Sequence, residues 1–202
     1  MKPALAILAT ALALATGACA SASPPDTGTS PQQAFFANVS ALCGKAYVGR
    51  ILADRPAPTG ADPFAGKPLV MHVRECSGDT IRIPFHVGDD RSRTWVLSRT
   101  ADDLRLKHDH RHEDGSADAV TMYGGDTVDT GTPLRQQFPV DAESQAMFTR
   151  EGRSVSNTNV WAMEVLPQRS FVYELAREGR LFRVEFDLTH PVEAPPAHWG
   201  AK

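Results

Sequence analysis

The sequence predicts a mainly β protein: an antiparallel up-and-down barrel with a short N-terminal helix and one short late helix. Three observations carry that expectation. Apolar and polar residues alternate over short runs, most cleanly where Phe182, Val184, Phe186 and Leu188 interleave with Arg183, Glu185 and Asp187. That is the period of a strand with one buried face. Such runs recur roughly every 10 residues with turn residues between them, the rhythm of an antiparallel sandwich or barrel. The chain lacks the strand–helix–strand rhythm of a parallel sheet.

Taken in order, residues 1–20 read as a signal peptide. Lys2 supplies a positive start, and 3–16 is an apolar run rich in Ala and Leu. It is shorter than the roughly 20 residues that a membrane span needs. Two processing readings stand side by side. Ala18-Cys19-Ala20 fits cleavage after a small-x-small motif, before Ser21. Thr16-Gly17-Ala18-Cys19 resembles a bacterial lipobox, with Thr16 where Leu is usual, and makes Cys19 a lipidated first residue. Residues 21–33, dominated by Ser, Thr and Pro, read as a flexible tether, and 34–200 as one β-barrel domain. The expected location is the periplasm, with anchoring to the outer membrane through Cys19, or outside the cell. A lipid on Cys19 is the one membrane contact expected.

The chain has three cysteines. Setting Cys19 aside leaves Cys43 and Cys76, an even pair that an oxidising compartment would join. Such a bridge closes a loop of about 34 residues and contributes about 4 kcal/mol in the chain-entropy account. A net charge of −3 and the lack of any basic run exclude nucleic acid as an expected partner.

Ser30-Pro31 can start a helix that runs to Leu42, with Phe35, Phe36, Val39 and Leu42 on one face. A first strand follows over 46–54, then a Pro/Gly-rich loop over 55–68. Strands over 69–75 and 80–87 meet through Ser77-Gly78-Asp79. A strand over 94–99 leads to the richest stretch of the chain, 104–113. A long connection after Asp114-Gly115 holds Met122-Tyr123-Gly124-Gly125, read as a turn. A strand over 134–139 precedes a helix over 142–150 capped by Asp141. Strands over 160–165, 171–177 and 181–188 complete the barrel, and the Pro-rich tail is extended.

On a strand over 104–113 one face is Arg105, Lys107, Asp109, Arg111 and Glu113, and the other is Leu104, Leu106, His108, His110 and His112. Burying unpaired charge is costly, so the charged face is expected in solvent and all three histidines inside. They are the leading ligand-binding candidates. His108 and His110 are also the metal candidates, since same-face imidazoles about 6.5–7 Å apart can converge on one ion such as zinc. One strand supplies too few ligands, so His72, His86, Asp126 or Glu164 would have to help. His86 lies opposite Ile81, Ile83 and Phe85 in its strand and should face out. The competing reading is a polar barrel mouth with hydrogen-bonded histidines. Trp161 with Met163 and Val165, and Phe171 with Tyr173 and Leu175, fall on single strand faces; they are core or, in a hollow barrel, cavity lining. Trp161 and Tyr173 are therefore ligand candidates. Arg99, on the face of Trp95 and Leu97, would neutralise an acidic ligand or reach solvent at the strand end. The carboxylates Asp109, Glu113, Asp114 and Asp118 lack calcium-loop spacing and read as a solvated turn.

A helix followed by a meander of eight to ten strands resembles the calycin group, the lipocalins and fatty-acid-binding proteins, in architecture; Gly44-Lys45-Ala46-Tyr47 is a weak echo of the lipocalin first strand. The stretches 108–118, Tyr123-Gly124-Gly125-Asp126 and Asn159-Val160-Trp161-Ala162-Met163-Glu164 also resemble a family of uncharacterised secreted proteins of Gram-negative bacteria, which implies no catalytic residues. No Gly-x-Ser-x-Gly elbow and no phosphate-binding glycine loop occurs. The leading expectation is therefore a non-enzymatic envelope barrel that binds a small or lipidic ligand. The alternatives are a metal-binding or metal-dependent protein using the histidine strand, and a structural envelope lipoprotein with a packed core.

Overall fold

Ser30 starts the first helix. Its Oγ accepts from Gln33 N at 3.1 Å and its own N–H donates to Gln33 Oε1 at 3.2 Å, a reciprocal cap that satisfies two orphan donors. The helix, α1, spans Pro31–Ser40. The structure is a computed structural model and describes residues 28–201; the stretch expected to be a signal peptide, Cys19 and most of the expected tether lie outside the described residues. The last three tether positions, 31–33, belong to α1.

Eleven strands follow in one antiparallel sheet: β1 (Ala46–Arg55), β2 (Leu69–His72), β3 (Glu75–Cys76), β4 (Thr80–Val87), β5 (Asp90–Arg99), β6 (Leu104–His110), β7 (Tyr123–Asp126), β8 (Arg135–Pro139), β9 (Val160–Leu166), β10 (Ser170–Arg177) and β11 (Arg180–Asp187). The second helix, α2 (Ala142–Arg150), and a 3-10 turn at Ser154–Thr158 lie between β8 and β9. Sheet order is β7-β6-β5-β4-β2-β1-β11-β10-β9-β8, with β3 beside β4. Neighbours in sequence are neighbours in space, and β1 zips to β11, so the sheet curls into a nearly closed barrel. The mainly β, antiparallel barrel expected from the sequence is the fold.

The predicted strand over 69–75 is interrupted at Val73 and Arg74, giving β2 and β3. Pro84, with no N–H to donate, falls between the β4 residues that pair with β2 and those that pair with β3.

The two ends of the path, β7 and β8, meet at a seam. Asp141 N–H donates to Gly124 O at 2.8 Å, and Gly124 N–H donates to Ser144 Oγ at 2.8 Å. Lys107 on β6 reaches across to Asp141 at 2.6 Å, which also caps α2 through Ser144 N. The Gly124-Gly125 pair is thus a strand, not the turn that its composition suggested. A Cβ at Gly124 would lie 1.8 Å from Leu106 O, and one at Gly125 1.8 Å from Pro139 O. Glycine is there because two backbones close on it from opposite sides.

The interior is mainly apolar, with His108 and Gln136 among its buried polar residues, and the barrel has unlike ends. Phe35, Phe36, Val39 and Leu42 from α1 and the turn after it join the core at one end, where the Arg99 guanidinium lies 5.4 Å above the Phe36 ring. At the other end, paired Arg93 and His110 sit at the rim. Cys43 and Cys76 form the expected disulfide, which ties the chain after α1 to β3. Among the described residues no helix is long and apolar enough to cross a membrane.

The charged face of β6 is not the solvated surface that the alternation suggested. Lys107 and Asp109 are 8% and 3% exposed. Asp109 accepts from Arg82 at 2.7 Å and Arg111 at 2.8 Å, and Lys107 is held at the seam. Burial alone would raise the Asp109 carboxyl; the two guanidiniums outweigh it and leave it below the usual range. Paired charge can be buried where unpaired charge cannot. The tail adds cover: Trp199 N–H donates to Arg91 O, Arg91 to Ala197 O, and Val192 bridges Ala46.

Candidate functional site

At the rim away from α1, β4, β5, β6, β7, β10 and β11 enclose a cavity of about 210 Å3. Its walls are mainly rings. Phe85, Trp95 and Tyr173 form a near-parallel column, with centroids 5.0 and 4.4 Å apart and planes within 16° and 18°. Phe64, from the loop after β1, stacks on Phe182 at 4.9 Å beside the opening. Beside the column stand His108, the strand partner of Trp95, and Tyr123, their rings 4.7 Å apart and 10° from parallel. A second hollow of about 180 Å3, toward α2, shares Tyr123, Tyr173 and Leu175 with the first.

Two histidine–tyrosine pairs set the polar pattern. His108 Nδ1 lies 3.1 Å from the Tyr123 carbonyl oxygen and its Nε2 lies 2.8 Å from the Tyr173 hydroxyl. A carbonyl only accepts, so Nδ1 carries the proton of the neutral ring and Nε2 accepts from Tyr173. His110 Nε2 is 3.0 Å from the Tyr123 hydroxyl. Burial pushes His108 down to about 3, and burial with Arg93 nearby pushes His110 down to about 4. Burial raises Tyr123 to about 12 and Tyr173 well above its ordinary value. All four groups are neutral at pH 7. The rim arginines are neutralised too: Arg93 meets Asp90 at 2.5 Å, and Arg180 is bonded to Asp54.

His108, His110 and Tyr173, all predicted from alternation, line this cavity together. Trp161 packs 4.9 Å from His108 and lines the second hollow. Two expectations are corrected. His112 is exposed, because β6 ends at His110 and the chain turns there, with His112 N–H on Ser116 O. Arg99 stands at the α1 end of β5, over Phe36, too far along the strand to meet a ligand in the cavity. Both ring nitrogens of His108 are committed, and among the described residues no three His, Cys, Asp or Glu side chains gather as a metal-ligand set. Asp114 and Asp118 fold back on Ser116 and Val120, as turns do. His86 does face out, yet it is buried beneath the tail.

Sequence reasoning missed Tyr123, Phe64 and Arg180. Tyr123 was hidden by the glycines after it. Phe64 lies in a loop without periodicity, where nothing local reveals the ring it meets.

Compared with family models, with curated proteins and with solved structures, the chain finds no match in any of the three.

Proposed function

We propose that this is an exported, non-enzymatic envelope barrel that binds a small ligand in the ring-walled cavity. The observation that carries the reading is the cavity itself: about 210 Å3, open at one end, apolar, with a few convergent polar atoms. A packed structural core would fill that volume. The histidines and tyrosines support binding over catalysis. Histidines held near 3–4 and tyrosines pushed well above their ordinary value neither take nor give a proton readily at pH 7, whereas a catalytic acid or base works best close to the operating pH. As fixed hydrogen-bonding groups they suit recognition. The disulfide supports export, because such bridges persist in oxidising compartments.

Native mass spectrometry of the protein from its own host tests both halves. The expected species starts at Cys19 or Ser21, carries the disulfide, and holds a small molecule at one-to-one stoichiometry that Leu175→Trp, which fills the cavity, expels. A chain that retains Met1 overturns export. A bare mass, together with no saturable binding by any small-molecule class, overturns the ligand reading and leaves a packed envelope protein.

A further inference from the structure

The cavity's size, shape, charge and spare hydrogen-bonding capacity narrow the ligand. We propose that the cavity accepts an uncharged aromatic molecule of one or two fused rings that carries a single O–H or N–H donor, as phenols and indoles do. This rests on the ligand-binding reading above. Size comes first. A cavity of about 150 Å3 holds benzene, so about 210 Å3 holds one substituted ring or a fused pair; a long acyl chain does not fit. Shape is next: Phe85, Trp95 and Tyr173 cover one another's faces, so the column turns ring edges to the cavity, and an aromatic ligand set edge-to-face on them gains more than an aliphatic chain of equal area. Charge follows. Asp90 and Asp54 offset the charges of Arg93 and Arg180, so an ionic ligand would leave water for a site with no net counter-charge.

Donor capacity decides the substituent. Tyr173 gives its only proton to His108 Nε2, and the Nδ1 proton of His108 is spent on a backbone carbonyl. That pair has no donor left for a ligand carbonyl or carboxylate; the spare donors of the cavity are the rim groups Arg93 and Arg180 and the His110–Tyr123 pair. Of the two acceptor lone pairs on the Tyr173 oxygen, the Trp95 side chain takes one, and a ligand O–H or N–H matches the other.

Calorimetric titration of the disulfide-intact protein at pH 7 with indole, 4-methylphenol, toluene, benzoate and octanoate tests this. The expected result is one-to-one binding of indole and 4-methylphenol, with toluene at least fivefold weaker and benzoate and octanoate at least tenfold weaker than 4-methylphenol. Leu175→Trp should abolish all of it while leaving the near-UV circular dichroism folded. If that variant fails to fold, shifts of the His108 and His110 ring-proton resonances locate the ligand in its place. Toluene matching 4-methylphenol, or benzoate or octanoate binding as tightly, overturns the proposal and leaves the binding reading standing. Resonances that do not move, or binding that survives Leu175→Trp, place the ligand elsewhere and overturn the proposal. No binding by any probe overturns it as well, and a native complex with another molecule would then show that the binding reading alone survives.

Discussion

Tyr173 and His108 are a donor and an acceptor that no solvent can replace, since His108 is 3% exposed and Tyr173 7%. Their bond of 2.8 Å therefore contributes mainly by avoiding an orphan. Tyr173→Phe leaves His108 Nε2 without a donor in an apolar surround, a cost of about 1–3 kcal/mol. His108→Leu leaves the Tyr173 hydroxyl and the Tyr123 carbonyl without theirs and costs at least as much. The double variant removes donor and acceptor together and should cost less than the sum of the two, by about 1–2 kcal/mol. Urea titrations of the four proteins give the cycle. Strict additivity would mean that the bond is not formed in solution. The alternation of 104–113 placed His108 inside but named no partner: His108 was legible because its strand neighbours are leucines, while a cross-barrel contact 65 residues away leaves no local signal.

At the scale of elements, the seam between β7 and β8 is where the fold departs furthest from its sequence signals. Gly125→Ala would place a methyl 1.8 Å from Pro139 O, a backbone atom that cannot step aside. The seam must open or the strands must part, and the expected loss is about 3 kcal/mol or more. Gly78→Ala is the control, because nothing lies within 4 Å of its added carbon; it should stay within about 0.5 kcal/mol. Equal midpoints for the two variants would show that the seam is not closed. The remaining elements were largely written locally. β11 announces itself by strict alternation, α1 by Ser30-Pro31 and α2 by Asp141, and each cap is made as read. Strand ends were less legible. β6 stops at His110 because the chain must turn there, which carries His112 into solvent. β7 was invisible because Gly-Gly reads as a break wherever tertiary crowding is unknown. The paired charges beneath the tail were missed for the same reason: partners such as Arg82 and Asp109 are 27 residues apart.

For the molecule as a whole, neutral buried histidines dictate the response to acid. His108 is held down at about 3, and His86 and His110 at about 4, in each case chiefly by burial. His72 and His198 are lowered in the same direction, again chiefly by burial. The unfolded chain protonates these rings near 6.5. Between that pH and about 4 the unfolded state binds more protons than the fold, so stability rises with pH and is lost as pH falls from about 6.5. Two to three such protons give a slope of about 3–4 kcal/mol per pH unit near pH 5, enough to unfold a domain of ordinary stability at about pH 4–5. One part of this lies under the tail. His86 Nε2, His198 Nδ1 and Trp199 Nε1 are buried there without a protein hydrogen bond, and His86 faces His198, His72, Arg91 and Arg74, all cationic once protonated. Removing the chain after Thr189 should therefore expose His86, let it titrate nearer 6.5 in the fold, and reduce the slope by about one proton, together with the share of His198, which leaves with the tail. Urea midpoints measured from pH 7 to pH 4 on both chains read the difference. A full-length slope below one proton would mean that these histidines are solvated in the folded protein, and an unchanged slope after truncation would mean that the tail does not cover His86.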